Sequence, residues 1–229
     1  TQAGTVAPHN YAHVSSGIYL NPGLFSFIPQ TIQDLQGFAE FIDNSNIFLL
    51  GTRIQNLYSN GVSKTSRSSS LVNDGYGAPF SNCGLIWSAF RPSDDACQLP
   101  FNIPQNAYAA SQLERLAKIA PKELSEKAGS LAGGIRGAIE ALALVDGIYA
   151  YEIDGNGNFI FMDDANFPSL LSLPYLGYCS KTNPSYLRTR EFVLSPRNPY
   201  FYSGTKFSHI GSIHTGENRV WPLAMAMEI

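Results

Sequence analysis

Residues 104–146 read "PQNAYAASQLERLAKIAPKELSEKAGSLAGGIRGAIEALALVD". Apolar residues recur at helical spacing on both sides of Pro121, and a proline, which has no N–H to donate, belongs in the first turn of a helix. The pattern therefore predicts two helices, 104–120 and 121–146, and the short break between them predicts an antiparallel pair. Upstream, "TIQDLQGFAEFID" (31–43) and "SNIFLLGTRIQNLYSN" (45–60) each predict an amphipathic helix, with Leu35, Phe38 and Phe41 or Ile42 on one face of the first. Residues 61–80, rich in Ser, Gly and Asn, read as an exposed loop. Downstream, "GIYAYEIDGNGNFIFMDD" alternates apolar and polar residues around Gly155, Asn156 and Gly157, which predicts a β-hairpin near 148–162. Three more short helices are expected in "NFPSLLSLPYLGY", "NPSYLRTREFVLS" and "WPLAMAMEI". The fold class is mainly α with a small hairpin. Helix pairs in series, with loops gathered at one end, suggest a toroid or solenoid of α-hairpins more than a four-helix bundle.

Composition narrows the function. The chain has 229 residues, of which 44% are hydrophobic, enough for a sizeable core. A net charge of -3 with only 14% charged residues argues against a general nucleic-acid binder. No apolar run approaches the roughly 18–20 residues needed to cross a bilayer, so no membrane partner is expected. The first residues carry no signal-peptide pattern, but the chain starts without Met, which leaves the compartment open. Cys83, Cys97 and Cys179 form no C-x-x-C pair, disfavouring a disulfide framework and a structural zinc site. A Cys83–Cys97 bridge is conceivable, and three partly buried apolar side chains are the plainer reading.

Polar residues embedded among aromatics occur in three loops: "FRPSDDAC" (90–97), "FMDDANFPSL" (161–170) and "FSHIGSIHTGENRVWP" (207–222). One aspartate before a helix usually caps it. Two such Asp-Asp pairs point instead to a carboxylate-rich, aromatic-walled pocket, the chemistry that binds sugar hydroxyls and protonates glycosidic bonds. His209 and His214 are five residues apart in a Gly-containing loop. They do not make the i, i+4 pair of a zinc protease, so a histidine donating to a substrate hydroxyl is preferred and no metal is expected. "DGNGN" fails as a calcium loop, because Phe159 stands at the tight-turn glycine position and Ala165 at the bidentate glutamate position. Nucleophile-elbow, Walker and dinucleotide motifs are not found.

Four segments then carry a resemblance: "SAFRPSDDAC", "MDDANFPSLLSLPYLGY", "TREFVLSPRNPYFYSG" and "IGSIHTGENRVWPLAMAM". Together, in register over about residues 80–228, they resemble glycoside hydrolase family 125, the exo-acting α-1,6-mannosidases. The resemblance implies an (α/α)6 barrel and metal-independent hydrolysis with inversion. It also implies release of non-reducing-end mannose from a mannose-containing oligosaccharide or N-glycan, without a cofactor. Residues 1–229 would be a single domain forming part of that barrel, with 1–40 outside the recognisable match.

Inversion needs two carboxyl groups about 6.5–9.5 Å apart, so the neighbours Asp94 and Asp95 cannot both serve. The family's general acid falls in this motif, on one of the two. At the entry to a helix their side chains would diverge by about 100°, leaving the other to cap the helix or pair with Arg91. Trp87 or Phe90 would supply the apolar wall that keeps the acid protonated. Arg91, Asp163, Asp164, Asn166 and His214 are the substrate-binding or pocket-supporting candidates, with Ile213 where the family commonly has Pro. The family's general base lies in a later "H-E-S" element, beyond Ile229. A twelve-helix toroid also exceeds the roughly six to eight helices read here. A fragment, a diverged paralogue, or a chain completed by a second segment or partner would each fit. The alternative function is a catalytically incomplete mannoside-binding or interaction protein.

Overall fold

The structure is a computed structural model that describes residues 71–73, 76–213 and 216–221. The helices expected at 31–43, 45–60 and in "WPLAMAMEI", and most of the loop 61–80, lie outside the described residues.

The predicted helix pair is present. β1 (Phe101–Asn102) leads directly into α1 (Ile103–Ile119), whose first turn carries a proline and is capped by Asn102, its Oδ1 accepting from the Gln105 N–H at 3.1 Å. α2 (Lys122–Ala138) runs back along α1. Ser125 Oγ donates to the Ala117 carbonyl at 2.5 Å near the connection, and Arg136 meets Glu114 further out, as an antiparallel pairing requires. Ala128, Ala132, Ile135 and Ile139 recur every three or four residues and are buried together.

α2 does not continue to residue 146. It ends in a π-helical turn, Ile139–Ala143, followed by β2 (Leu144–Val145) and β3 (Ile148–Tyr149), an antiparallel hairpin. Asp146 (φ 53°) and Gly147 (φ 77°) form its two-residue turn, both in the left-handed region that such turns demand. That Asp-Gly chemistry overrides the helical pattern before it.

The hairpin expected near 148–162 is shorter and belongs to a larger sheet. β4 (Glu152–Ile153) pairs with β5 (Phe159–Ile160) and also with β1, so β4 is central in the order β1-β4-β5. The connection is closed by Asp154, whose Oδ1 accepts the Asn156 and Asn158 N–H groups at 2.8 and 3.1 Å. α3 is a single turn, Leu173–Leu176, stopped by Gly177 in the left-handed region. α4 (Pro184–Val193), expected in "NPSYLRTREFVLS", starts on a proline and is capped by Asn183, which accepts from Ser185 and Tyr186 N–H. A last hairpin pairs β6 (Phe201–Ser203) with β7 (Ser208–Ile210).

One core joins these parts, with Phe101, Ile103, Ile135, Tyr149, Tyr151, Leu170, Leu173 and Ile210 all fully or almost fully buried. Ile135 sits on the α2 face turned to α1, so Ile135→Ala is expected to lower unfolding stability by about 2–5 kcal/mol, read from the urea midpoint at unchanged m-value.

Candidate active site

Asp94 and Asp95 lie on a tight turn, not at a helix entry. Phe90 and Ala96 form an antiparallel bridge, Cys97 N–H donates to the Ala89 carbonyl at 2.8 Å and Arg91 N–H to the Asp95 carbonyl at 2.7 Å. The loop between them is Pro92, Ser93 and Asp94, closed by Asp94 N–H on the Arg91 carbonyl at 3.0 Å. Such three-residue loops combine a type I turn, which favours proline at its second position, with one left-handed residue. Here that residue is Asp94, at φ 66°. The turn separates the two carboxylates as the helix was expected to do. Asp94 is exposed, whereas Asp95 is 2% exposed and accepts the Ser93 hydroxyl at 2.8 Å.

Arg91, expected from the sequence to pair with the non-catalytic aspartate of its turn, has its bidentate partner in Glu152. It is buried against Glu152, Nε to Oε1 at 2.5 Å and Nη2 to Oε2 at 3.0 Å. Burial acts against the guanidinium charge, but the Glu152 hydrogen bonds and charge outweigh it, and the Arg91 pKa is raised. Glu152 Oε2 also accepts the Gln98 and Leu99 N–H groups, at 3.0 and 3.1 Å. Trp87, expected as a pocket wall, is in the core at 6% exposure, and Phe90 is half-buried against it.

The second loop divides its polar residues. Asp163 is fully buried and its two oxygens accept the Leu170 and Leu171 N–H groups at 3.1 and 3.2 Å, so it organises the chain entering α3. Asn198 braces it, donating to the Asp163 carbonyl at 3.0 Å. Asp164, at 1% exposure, accepts both the backbone and the side-chain N–H of Asn166, at 2.9 and 3.1 Å, and also faces Ser93 and Arg91. Burial raises the Asp164 pKa, against the opposing pull of Asn166, Arg91 and Ser93.

The third loop joins through Asn166, which donates to Ser212 Oγ at 2.9 Å, and through Ala165 N–H on the Gly211 carbonyl at 3.0 Å. His209 is buried on β7, its ring stacked on Phe207. His214 lies outside the described residues. Burial raises the Tyr200 pKa, against the pull of the Arg91 charge and with the Asp164 and Asp95 charges adding to it. Tyr151 carries Arg91 over its ring at 5.7 Å and is fully buried. All three loops named from the sequence therefore meet. Among the described residues no group of three or more His, Cys, Asp or Glu is set to hold a metal ion.

A family model described as metal-independent α-mannosidase (GH125) matches residues 43–229. The chain belongs to glycoside hydrolase family 125. The chain is also similar to the Meiotically up-regulated gene 157 protein of Schizosaccharomyces pombe, 42% identical over 165 residues, which cover 67% of this chain and 32% of that protein. A solved Streptococcus pneumoniae metal-independent α-mannosidase, in a non-productive substrate complex with α-1,6-mannobiose, is 35% identical and superposes with a TM-score of 0.68. The likeness covers 86% of this chain and 54% of that structure. The present chain thus spans about half of the one relative and a third of the other.

Within this GH125 chain, sequence reasoning missed Glu152, Tyr151, Tyr200 and Ser93. For Glu152 a signal existed: it is an acidic residue between Tyr151 and Ile153 in a predicted strand. In chemical terms, the turn offers one solvent-facing carboxyl backed by buried acceptors, beside amide and hydroxyl groups suited to a polyhydroxylated ligand.

Asp164 gives a pH test. A carboxyl whose folded pKa is raised destabilises the fold progressively as pH rises above its unfolded value, about 3.9, because only the unfolded chain releases the proton freely. Asp164→Asn removes that group while keeping its shape. Its stability relative to the parent is expected to improve as pH rises from about 3.5 to 7, measured by urea unfolding at each pH.

Proposed function

We propose that this chain forms part of a metal-independent, inverting glycoside hydrolase that releases non-reducing-end mannose from α-1,6-linked mannosides, with Asp94 as the general acid. The family match and the likeness to a mannosidase crystallised with α-1,6-mannobiose support the reaction class. The observation that carries the assignment is the turn, which presents Asp94 to solvent and buries Asp95 with its oxygen on Ser93. A general acid must reach the glycosidic oxygen. Asp94 can, whereas Asp95, Asp163 and Asp164 are each at most 2% exposed and serve protein donors.

In this reading the bound sugar covers Asp94 and excludes water from the glycosidic bond. The glycosidic bond breaks as that proton passes to the leaving oxygen, and water attacks the opposite face of the ring under a second carboxylate. We assign that base outside the described residues, and with it the segments that complete the barrel around this single domain. Asp164, Asn166 and Ser212 support the pocket floor, with His214 as a candidate donor to a sugar hydroxyl. The substrate class is a mannose-containing oligosaccharide or N-glycan.

The test uses the full-length protein and α-1,6-mannobiose. Mannose release is expected, unaffected by a chelator, with β-mannose as the first anomer seen by proton NMR. Asp94→Asn should lower kcat by about 10²–10⁴-fold with little change in Tm, whereas Asp95→Asn should lower Tm. Equal, mild losses from both changes would refute Asp94 as the acid. Binding without turnover would favour a mannoside-binding protein.

A further inference from the structure

We infer that Glu152 is the positioning residue of the acid-bearing turn and acts through Arg91. The catalytic consequence rests on the hydrolase reading above, while the structural consequence rests on the hydrogen bonds alone. Glu152 is fully buried and stands on β4, held on one side by β1 and on the other by β5. It cannot touch a substrate, so it is not a catalytic residue.

Its two oxygens take four donors, and these come from both arms of the turn. Arg91, two contacts, is the last residue before the three-residue loop; the Gln98 and Leu99 N–H groups lie on the returning arm. One carboxylate therefore closes the base of the turn onto the middle strand of the sheet. Arg91 is also the residue whose backbone fixes Asp94, since its carbonyl accepts the Asp94 N–H and its own N–H reaches the Asp95 carbonyl. Displacing the Arg91 side chain shifts the peptide groups that hold Asp94 in the left-handed region. Misplacement of a reacting group by about 1 Å can cost roughly 10²-fold in rate, so the clamp has kinetic weight without contacting the sugar.

Glu152→Gln separates the roles. The remaining carbonyl oxygen can still accept the Gln98 and Leu99 N–H groups and Arg91 Nη2, but the amide nitrogen opposes Arg91 Nε, which loses its acceptor and with it the bidentate fork. In the full-length protein, hydrogen exchange of the Arg91, Asp94 and Cys97 amides is expected to speed up by about tenfold or more, with α1 and α4 amides unchanged. With α-1,6-mannobiose, kcat should fall by about 10²-fold while KM stays within about threefold. Arg91→Lys, which keeps a buried cation but not the bidentate fork, should show the same pattern more weakly and serves as the comparison if Glu152→Gln fails to fold. Unchanged exchange in the turn would overturn the inference whether or not the protein turns over substrate. Faster exchange throughout the chain would also overturn it, reducing Glu152 to a general fold contact. An inactive parent protein with the expected exchange pattern would instead refute the hydrolase reading and leave the clamp supported.

Discussion

An ion pair withdrawn from water survives only if the attraction and hydrogen bonding it gains offset the hydration both partners lose. The Arg91–Glu152 pair meets that condition by saturation: the carboxylate has four donors, and the guanidinium has a two-point acceptor and an aromatic ring beside it. The strand position that carries Glu152 also sets the register of its neighbours through the backbone. Glu152 is the register partner of Asn102, and Asn102 caps α1, so the start of the longest helix pair is referenced to the same strand position. At its other edge that strand pairs with Ile160, the beginning of the segment that runs on to Asp163 and Asp164. Backbone pairing thus places the helix start and the acidic segment beside the strand position whose side chain holds the turn.

Around that anchor the carboxylates divide by exposure. Asp95, Asp163 and Asp164 are consumed by nearby donors: a hydroxyl, the N–H groups entering α3, and an asparagine. Each fixes one loop, and Asn166 ties the second loop to the third through Ser212. Only Asp94 of the two Asp-Asp pairs faces solvent. Groups that look interchangeable in a sequence are, in the fold, three local braces and one free-standing acid.

What the sequence made legible was local. The apolar spacing on both sides of Pro121 gives α1 and the start of α2, and "NPSYLRTREFVLS" gives α4, from residues that act within a turn or two. The end of α2 was hidden because Ala and Leu carry the helical pattern past residue 138, while the deciding signal is the two-residue Asp146–Gly147 turn. Around the site, the three convergent loops could be named from their aromatic and acidic content. Their internal pairing could not, because Arg91 and Glu152 are 61 positions apart and alternation along a strand reads a polar residue as solvated. That rule fails where a second layer covers the sheet face, and here the covering layer is the acid-bearing turn itself.

The left-handed backbone at Asp94 has a consequence for how this chain can be altered. Glycine adopts that conformation with no Cβ penalty and is the usual occupant of such a turn. A library sorted for thermal endurance alone would drift toward glycine at this position, and would discard the only solvent-facing carboxyl of the two acidic pairs. Local steric ease and chemistry pull position 94 in opposite directions, the trade-off that recurs where a fold has been shaped for a task beyond its own persistence.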